Sequence, residues 1–326
     1  MVKSIPLFPR LLGDVGGTNA RFAWQAHPEG ALECIESLSC ADYPDLTTAV
    51  KAYLDIHRLP KMAAACIGIA TPVTSDRICM TNLDWSFSIQ EMQKQLGLEK
   101  LLFINDFTAL ALALLDLGPD QKLCIGETTA GMPRQPIALI GAGTGLGVSG
   151  LLPTGGEGWV PISGEGGHIT LAAGNGEEFE VIEFLRHRHG HVSAERILSG
   201  QGLLDLHEAL CTVRGKHWMP LSSAVEISNK ALVDQDANCL ATLDMFSGLL
   251  GSVAGDLALT LGARGGVYIG GGIVPRWLGW FEHSTFRTRF EHKGRFSGYL
   301  KAIPTWVISA EDSPALWGAA RALDNP

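Results

Sequence analysis

The feature that most constrains this chain is a pattern that occurs twice. The apolar run LLGDV (11–15) stops at Asp14-Val-Gly-Gly-Thr-Asn-Ala-Arg21 and resumes as RFAWQA (21–26). The run IALIGAG (137–143) stops at Gly141-Ala-Gly-Thr-Gly-Leu-Gly147 and resumes as GVSGLL (147–152). Each reads as a buried strand, a Gly/Thr turn and a returning strand. The two copies stand near the start of each half of the chain, an echo of a duplicated fold.

The remaining pattern agrees. In the first half, residues 45–58 read as a helix and AAACIGIA (63–70) as a buried strand closed by Thr71 and Pro72. Ser88 and Glu91 form an S-x-x-E capping box for a helix through about Leu96. LLFIN (101–105) is a strand that runs into the apolar helix Asp106–Leu117, which belongs in an interior. Asp116–Gln135 has the Gly, Pro and charge content of a linker. The second half then predicts helices at about 177–189, 200–212 and 222–232, and a long one over 238–262. On that helix Leu243, Phe246, Leu250, Val253, Leu257 and Leu261 form one stripe, while Gly248, Gly251, Ser252 and Gly255 offer close approach elsewhere. GGVYIGG (265–271) and PTWVIS (304–309) are strands, and Pro314–Leu323 is a last helix. Strands and helices alternating twice over predict two α/β domains with mixed sheets.

Composition narrows the function. At 326 residues with 46% hydrophobic and 18% charged side chains, the chain can build a substantial core. A net charge of −9 argues against nucleic acid as a partner, since phosphate backbones are bound by basic surfaces. A small anion remains possible, because backbone N–H groups and a metal ion can hold it. The seven cysteines are scattered with no C-x-x-C pair, and Cys66 lies in an apolar run, the usage of a reducing compartment. The start, MVKSIPLFPR, has two prolines and no apolar h-region, so no secretory signal is expected. Asp244, Asp256 and several glycines argue against 238–262 as a membrane span. A soluble, cytoplasmic protein without membrane partners is expected.

Two common nucleotide signatures fail. No glycine turn is followed by the Lys of a Walker A loop, and Leu146 stands where a dinucleotide fingerprint needs its third glycine. What remains is a pair of Gly/Thr hairpin turns. Glycines let backbone N–H groups approach an anion such as a phosphate, and Thr18 and Thr144 add hydroxyl donors. Asp14, at the end of its strand, is placed to hold Mg²⁺ through water. The plain alternative is that each turn is only a tight hairpin.

Six motifs occur in order: D-V-G-G-T-N-A-R, I-N-D-F, G-A-G-T-G-L-G, G-E-G-G-H, H-V-S-A-E-R and G-G-I-V-P-R. Together they resemble the bacterial glucokinase family, within the hexokinase, Hsp70 and actin superfamily, from about residue 11 to about 320. The resemblance implies two actin-like ATPase (ribonuclease H-like) domains with mixed sheets flanked by helices and an active cleft between them. It implies a small domain of residues 1–118 plus 310–326 and a large one of 119–309. It assigns Gly13, Asp14, Val15, Gly16, Gly17 and Thr18, with Gly143, Thr144 and Gly145, to the ATP phosphates. Gly271 and Gly272, within Gly270–Pro275, would line the adenosine pocket. A homodimer is also implied.

Phosphate transfer to a hydroxyl needs a base near that hydroxyl and charge stabilisation on the phosphates. Asp106 is the candidate base, because the positive end of its helix should keep it ionised. Taken locally, the same residue reads first as the N-cap of that helix, and the base role gains its weight from the family pattern I-N-D-F. Asn105 beside it can bind a sugar hydroxyl. Glu165 and His168 share a glycine-rich turn that exposes both, and Glu195 lies in the first turn of a helix capped by Ser193. Locally, His168 reads as a structural histidine and Glu195 as a helix-dipole carboxylate. The resemblance assigns Asn105, Asp106, Glu165, His168 and Glu195 to the sugar.

His187, His189 and His191 do not share a helix face, so with Arg186 and Arg188 they read as a cationic helix terminus facing water. Trp85 is either packed under the sugar loop or an ordinary core aromatic. Related kinases carry a zinc-binding cysteine cluster after the active-site histidine; here ITLAAGNGEE follows His168, so no structural zinc is expected. About ten residues precede the first strand, too few for the DNA-reading domain of related repressors. A pure ATPase would not need the sugar set. The resulting expectation is ATP + D-glucose → ADP + glucose 6-phosphate, with domain closure excluding water.

Overall fold

The computed structural model describes residues 7–28, 30–80, 83–127, 130–310 and 313–324. These divide into two compact units, Met1–Gly118 with Ala310–Pro326, and Pro119–Ser309.

Unit 1 is built on β1 (Arg10–Val15), β2 (Asn19–Gln25), β3 (Glu33–Ser39), β4 (Ala64–Ile69) and β7 (Lys100–Asn105), with a small separate hairpin of β5 (Arg77–Cys79) and β6 (Ser86–Ser88). The main sheet has the order β3-β2-β1-β4-β7. β1, β2 and β3 form an antiparallel meander, and β4 and β7 run parallel to β1. Strand periodicity divides β1 between two faces. Leu11 and Val15 face one core with Phe22, Tyr53 and Ile67. Leu12 faces the other, with Ala23, Cys66, Leu316, Ala319 and Ala320. Asp14 shares the face of Leu12, and Ser313, just before the helix Pro314–Asp324, donates to its carboxylate. Arg10 on the same face forms a bidentate pair with Asp324 at that helix's far end.

The C-terminal helix lies directly on the helix Asp106–Ala113. A Cβ on Gly318 would stand 1.7 Å from Ala109 O, so the two backbones touch only because residue 318 has no side chain. On the sheet side the fit at Gly68 of β4 is snug but less demanding: its Cβ would lie 3.3 Å from Ala109 Cβ and 3.6 Å from Asp106 Cα.

Unit 2 repeats this topology with β9 (Ile137–Ala142), β10 (Leu146–Pro153) and β11 (Trp159–Ser163) as the meander. β12 (Gly266–Gly270) and β13 (Thr305–Ile308) add in parallel, and β8 (Lys122–Ile125) closes the far edge antiparallel to β13. The helix Ala237–Leu261 is long and apolar enough to cross a membrane, yet it is mostly buried as the core helix of this unit. Its glycines admit the helix Phe286–Glu291: a Cβ on Gly251 would meet Phe286 O at 2.2 Å, and one on Gly255 would meet Phe290 O at 2.6 Å. The close approach read from the sequence is thus between helices.

Several expectations need correction. The segment expected as a linker contains β8, which is short and only partly buried and so carries no apolar run strong enough to read. β3, β5, β6 and β11 were likewise not expected; each is an edge or hairpin strand with exposed positions. The apolar helix after Asn105 stops at Ala113, four residues short of Leu117, and turns toward Pro119. Ser88 does cap its helix through Glu91 N–H, but Asp76 across the hairpin is the carboxylate that joins it, accepting from Gln90 N–H and Ser88 Oγ. Trp85 is a core aromatic whose Nε1 donates to Tyr43 O.

Replacing Gly318 by Val should lower stability by about 1–3 kcal/mol through overpacking against Ala109 O. A urea titration followed by tryptophan fluorescence checks this; an unchanged midpoint would show that the helices separate freely.

Candidate active site

In unit 1 the relevant groups gather at the carboxyl ends of parallel strands. Asp14 of β1 pairs in register with Gly68 of β4, and Ile69 of β4 with Asn105 at the end of β7. That edge is where open α/β sheets place ligands, because chain direction changes there and leaves backbone groups free. The Gly16–Asn19 turn closes β1 onto β2 through Gly16 N–H to Asn19 O (3.0 Å), and Cys40 N–H donates to Thr18 O (2.8 Å). Gly13 and Val15 are buried within β1, where Gly13 makes room for Ile67. Thr18 is exposed.

The capping role at the following helix belongs to Asn105. Its Oδ1 accepts from Phe107 N–H (3.0 Å) and Thr108 N–H (3.2 Å). Asp106, which local sequence would have made the cap, is the first helical residue, with Oδ1 accepting from Phe107 N–H at 2.8 Å. Its electrostatics also differ from expectation. Burial outweighs the helix end and pushes the Asp106 carboxyl up to about 6, with Asp14 adding to the rise and the Phe107 N–H and Asn105 opposing it. It stays mostly ionised at neutral pH. Asp14 is itself raised by burial, against the Ser313 hydrogen bond (2.5 Å) and the Arg21 charge.

In unit 2 the second turn closes β9 onto β10 through Gly143 N–H to Gly145 O (2.8 Å) and is tied to the helix Gly200–Val213 by Gly200 N–H to Gly143 O (2.8 Å). Gly16, Gly143 and Gly145 all avoid positive φ, and a Cβ would meet nothing nearer than 3.9 Å at Gly16 or 4.0 Å at Gly143, so of the three only Gly145 is needed for space. At Gly145 the reason is explicit. A Cβ would lie 2.4 Å from Glu195 Oε2, which accepts from Leu146 N–H at 2.8 Å. Glu195 is held in the first turn of Ala194–Ile197, capped by Ser193 as expected. Its other oxygen stands 3.8 Å from His168 Nδ1. His168 N–H donates to Glu165 O (3.1 Å) across the Gly166–His168 turn, and both side chains are exposed. Thr144, His168 and Glu195 line one cavity of about 210 Å³. Gly271 and Gly272 follow β12; Gly271 has φ +81°, and a Cβ there would lie 2.2 Å from Ala142 O. The structure therefore joins Asp14, Asn105 and Asp106 within unit 1, and Gly143–Gly145, His168, Glu195 and Gly271 within unit 2.

Sequence reasoning missed Ser313 and the contact of Glu195 with the turn, since each joins segments far apart in the chain. It also misread one histidine. His187 is exposed, but His189 is turned inward, with Nε2 3.5 Å from Asp205 Oδ2, because its helix packs on Gly200–Val213.

Known proteins agree with this architecture. The glucokinase family model matches residues 11–326. A curated glucokinase from Aromatoleum aromaticum is 53% identical over 321 residues, 98% of this chain and 95% of that protein. The solved glucokinase from an Antarctic psychrotroph superposes with a TM-score of 0.88 at 37% identity, covering 98% of this chain and 99% of that one. The solved glucokinase of Balamuthia mandrillaris in complex with glucose gives 0.79 at 18% identity, covering 99% and 95%, and shows a shared fold. Mixed sheets flanked by helices, with one topology used twice, define a sugar kinase of the actin-like ATPase fold. The chain belongs to the glucokinase family.

Two outcomes follow from this geometry. Asp106 has its ordinary value of 3.8 when unfolded and about 6 when folded, so the cost of ionising it grows between those pH values and is complete above them. Asp106→Asn should therefore stabilise the protein at pH 7.5 by on the order of 2–3 kcal/mol and by little near pH 4; melting curves at both pH values test this. Gly145→Ala should keep the fold but dislodge Glu195, costing about tenfold to a hundredfold in kcat/KM, read by sugar-dependent ADP formation beside an unshifted Tm.

Proposed function

We propose that this chain transfers the γ-phosphate of ATP to the 6-hydroxyl of D-glucose, with Asp106 as general base. The observation that carries the reading is a carboxylate of pKa about 6 at a helix N-terminus beside a second, partly buried carboxylate, Asp14. A base works best when its pKa lies near the working pH, ionised yet basic enough to take a proton. Asn105, with Oδ1 committed to the cap, has its two amide N–H donors to share between the Asp106 carboxylate and a sugar hydroxyl.

In this reading the Gly13–Thr18 and Gly143–Gly145 turns supply backbone N–H groups and the Thr18 and Thr144 hydroxyls to the phosphates. Gly271 and Gly272 border the adenosine. Glu165, His168 and Glu195 bond the sugar hydroxyls; a site that pairs each hydroxyl rejects isomers that leave a partner unpaired. The bond from Leu146 N–H to Glu195 supports the idea that sugar and phosphate recognition share one rigid piece of backbone.

The residues also fit a magnesium ion. Burial raises Asp14 and Asp14 in turn raises Asp106, so a cation between them would favour their ionised forms, and magnesium takes few protein carboxylates while keeping its waters. Asp14 would hold it, and the ion would offset charge on the transferring phosphate. Asp106 takes the proton from the attacking hydroxyl, and the turns hold the phosphates in line. A cytoplasmic homodimer is the expected setting, checked by light scattering on the purified protein.

Asp106→Ala should retain nucleotide affinity and lose at least about a hundredfold in kcat, within the range of general base catalysis. A loss under about tenfold would remove Asp106 from this role. For the wild type, kcat/KM for glucose should fall with unit slope as pH drops below about 6, since protonated Asp106 cannot accept a proton; a flat profile down to pH 5 would contradict it.

A further inference from the structure

The cavity in unit 2 has a wall that this chemistry leaves unused. Besides Thr144, His168 and Glu195, it is lined by Arg196, Gln201 and Asp205. At about 210 Å³ it has room for on the order of seven waters. Asp205 is only 8% exposed. Its Oδ1 accepts from Gln201 Nε2 at 3.0 Å, while its Oδ2 has only the His189 ring nitrogen at 3.5 Å, beyond good hydrogen-bonding distance. That nitrogen is itself buried without a hydrogen-bond partner. Asp205 Oδ2 thus keeps acceptor capacity on a residue that lines the cavity, and a donor entering the cavity can use it.

The lining chemistry selects the donor. On the wall away from Thr144, the carboxylates of Glu195 and Asp205 disfavour an anion, and the Arg196 guanidinium disfavours a bare cation. Acceptors and donors interleaved in one cavity suit hydroxyl groups, which both give and take hydrogen bonds. We infer that Asp205, steadied by Gln201, is a specificity-determining residue that accepts from a hydroxyl of the bound sugar, extending the set of Glu195 and His168. This rests on the sugar-kinase reading above.

The test is titration calorimetry of glucose into nucleotide-free wild type, Asp205→Ala, Asp205→Asn and Gln201→Ala, with phosphorylation of glucose and mannose measured alongside. Asp205→Ala should weaken glucose binding about tenfold or more, the size expected for a charged acceptor. Asp205→Asn should fall between it and wild type, Gln201→Ala should weaken binding less, and the glucose-to-mannose ratio of kcat/KM should change. The KM for ATP should stay within about twofold. Glucose affinities of all variants within twofold of wild type would overturn the inference and leave the proposed function standing. So would a parallel loss of glucose affinity, ATP affinity and Tm, which marks a structural role. Gln201→Ala, an exposed side chain, keeps the test alive if the Asp205 variants do not fold. Wild type that neither binds nor phosphorylates glucose would instead defeat the proposed function, and this inference with it.

Discussion

Bare backbone on two sides of one short helix governs the first unit. Asp106–Ala113 can approach β4 because residue 68 is glycine, and it can touch the C-terminal helix because residue 318 is glycine. A side chain at 318 would push the helix outward, and its first residue, Asp106, with it; one at 68 would press on Ala109 by only a few tenths of an ångström. Close packing resists such shifts, because interiors have little free volume to absorb them. The position of the carboxylate therefore depends most on an absent side chain about two hundred residues after it in the chain.

That placement has an electrostatic consequence. Asp106 and Asp14 lie where burial disfavours charge, and Asp106 is raised further by its neighbour. A fold optimised for stability alone would have used amides or paired each acid with a cation. Keeping the two acids there costs stability, a cost that the base role proposed for Asp106 would explain. Asn105 limits the damage by capping the helix itself, which spares Asp106 from a purely structural duty.

The second unit joins its Gly/Thr turn to a cluster of polar side chains. Glu195 accepts from Leu146 N–H in the Gly/Thr turn and stands near His168, so displacement of the turn is felt by the carboxylate and the reverse. Gly145 keeps that link short. The same topology thus serves twice, once to hold acids at strand ends and once to hold polar side chains against a glycine turn.

Much of this was legible in the residues themselves. Strongly apolar strands such as β1, β4 and β9 and helices such as Ala237–Leu261 declare themselves, because burial imposes a period that composition cannot hide. The six motifs carried the family, and the recurrence of strand, Gly/Thr turn and strand announced the repeated topology. What stayed hidden depends on partners remote in the chain: β8 pairing with β13, Ser313 meeting Asp14, His189 turning toward Asp205, and Glu195 filling the space left at Gly145. Ionisation was hidden for the same reason. Sequence placed Asp106 at a positive helix end and so predicted an easily ionised acid, whereas desolvation by surrounding layers reversed the sign. Local order follows from neighbours along the chain; burial and charge follow from neighbours in space, which only the folded structure supplies.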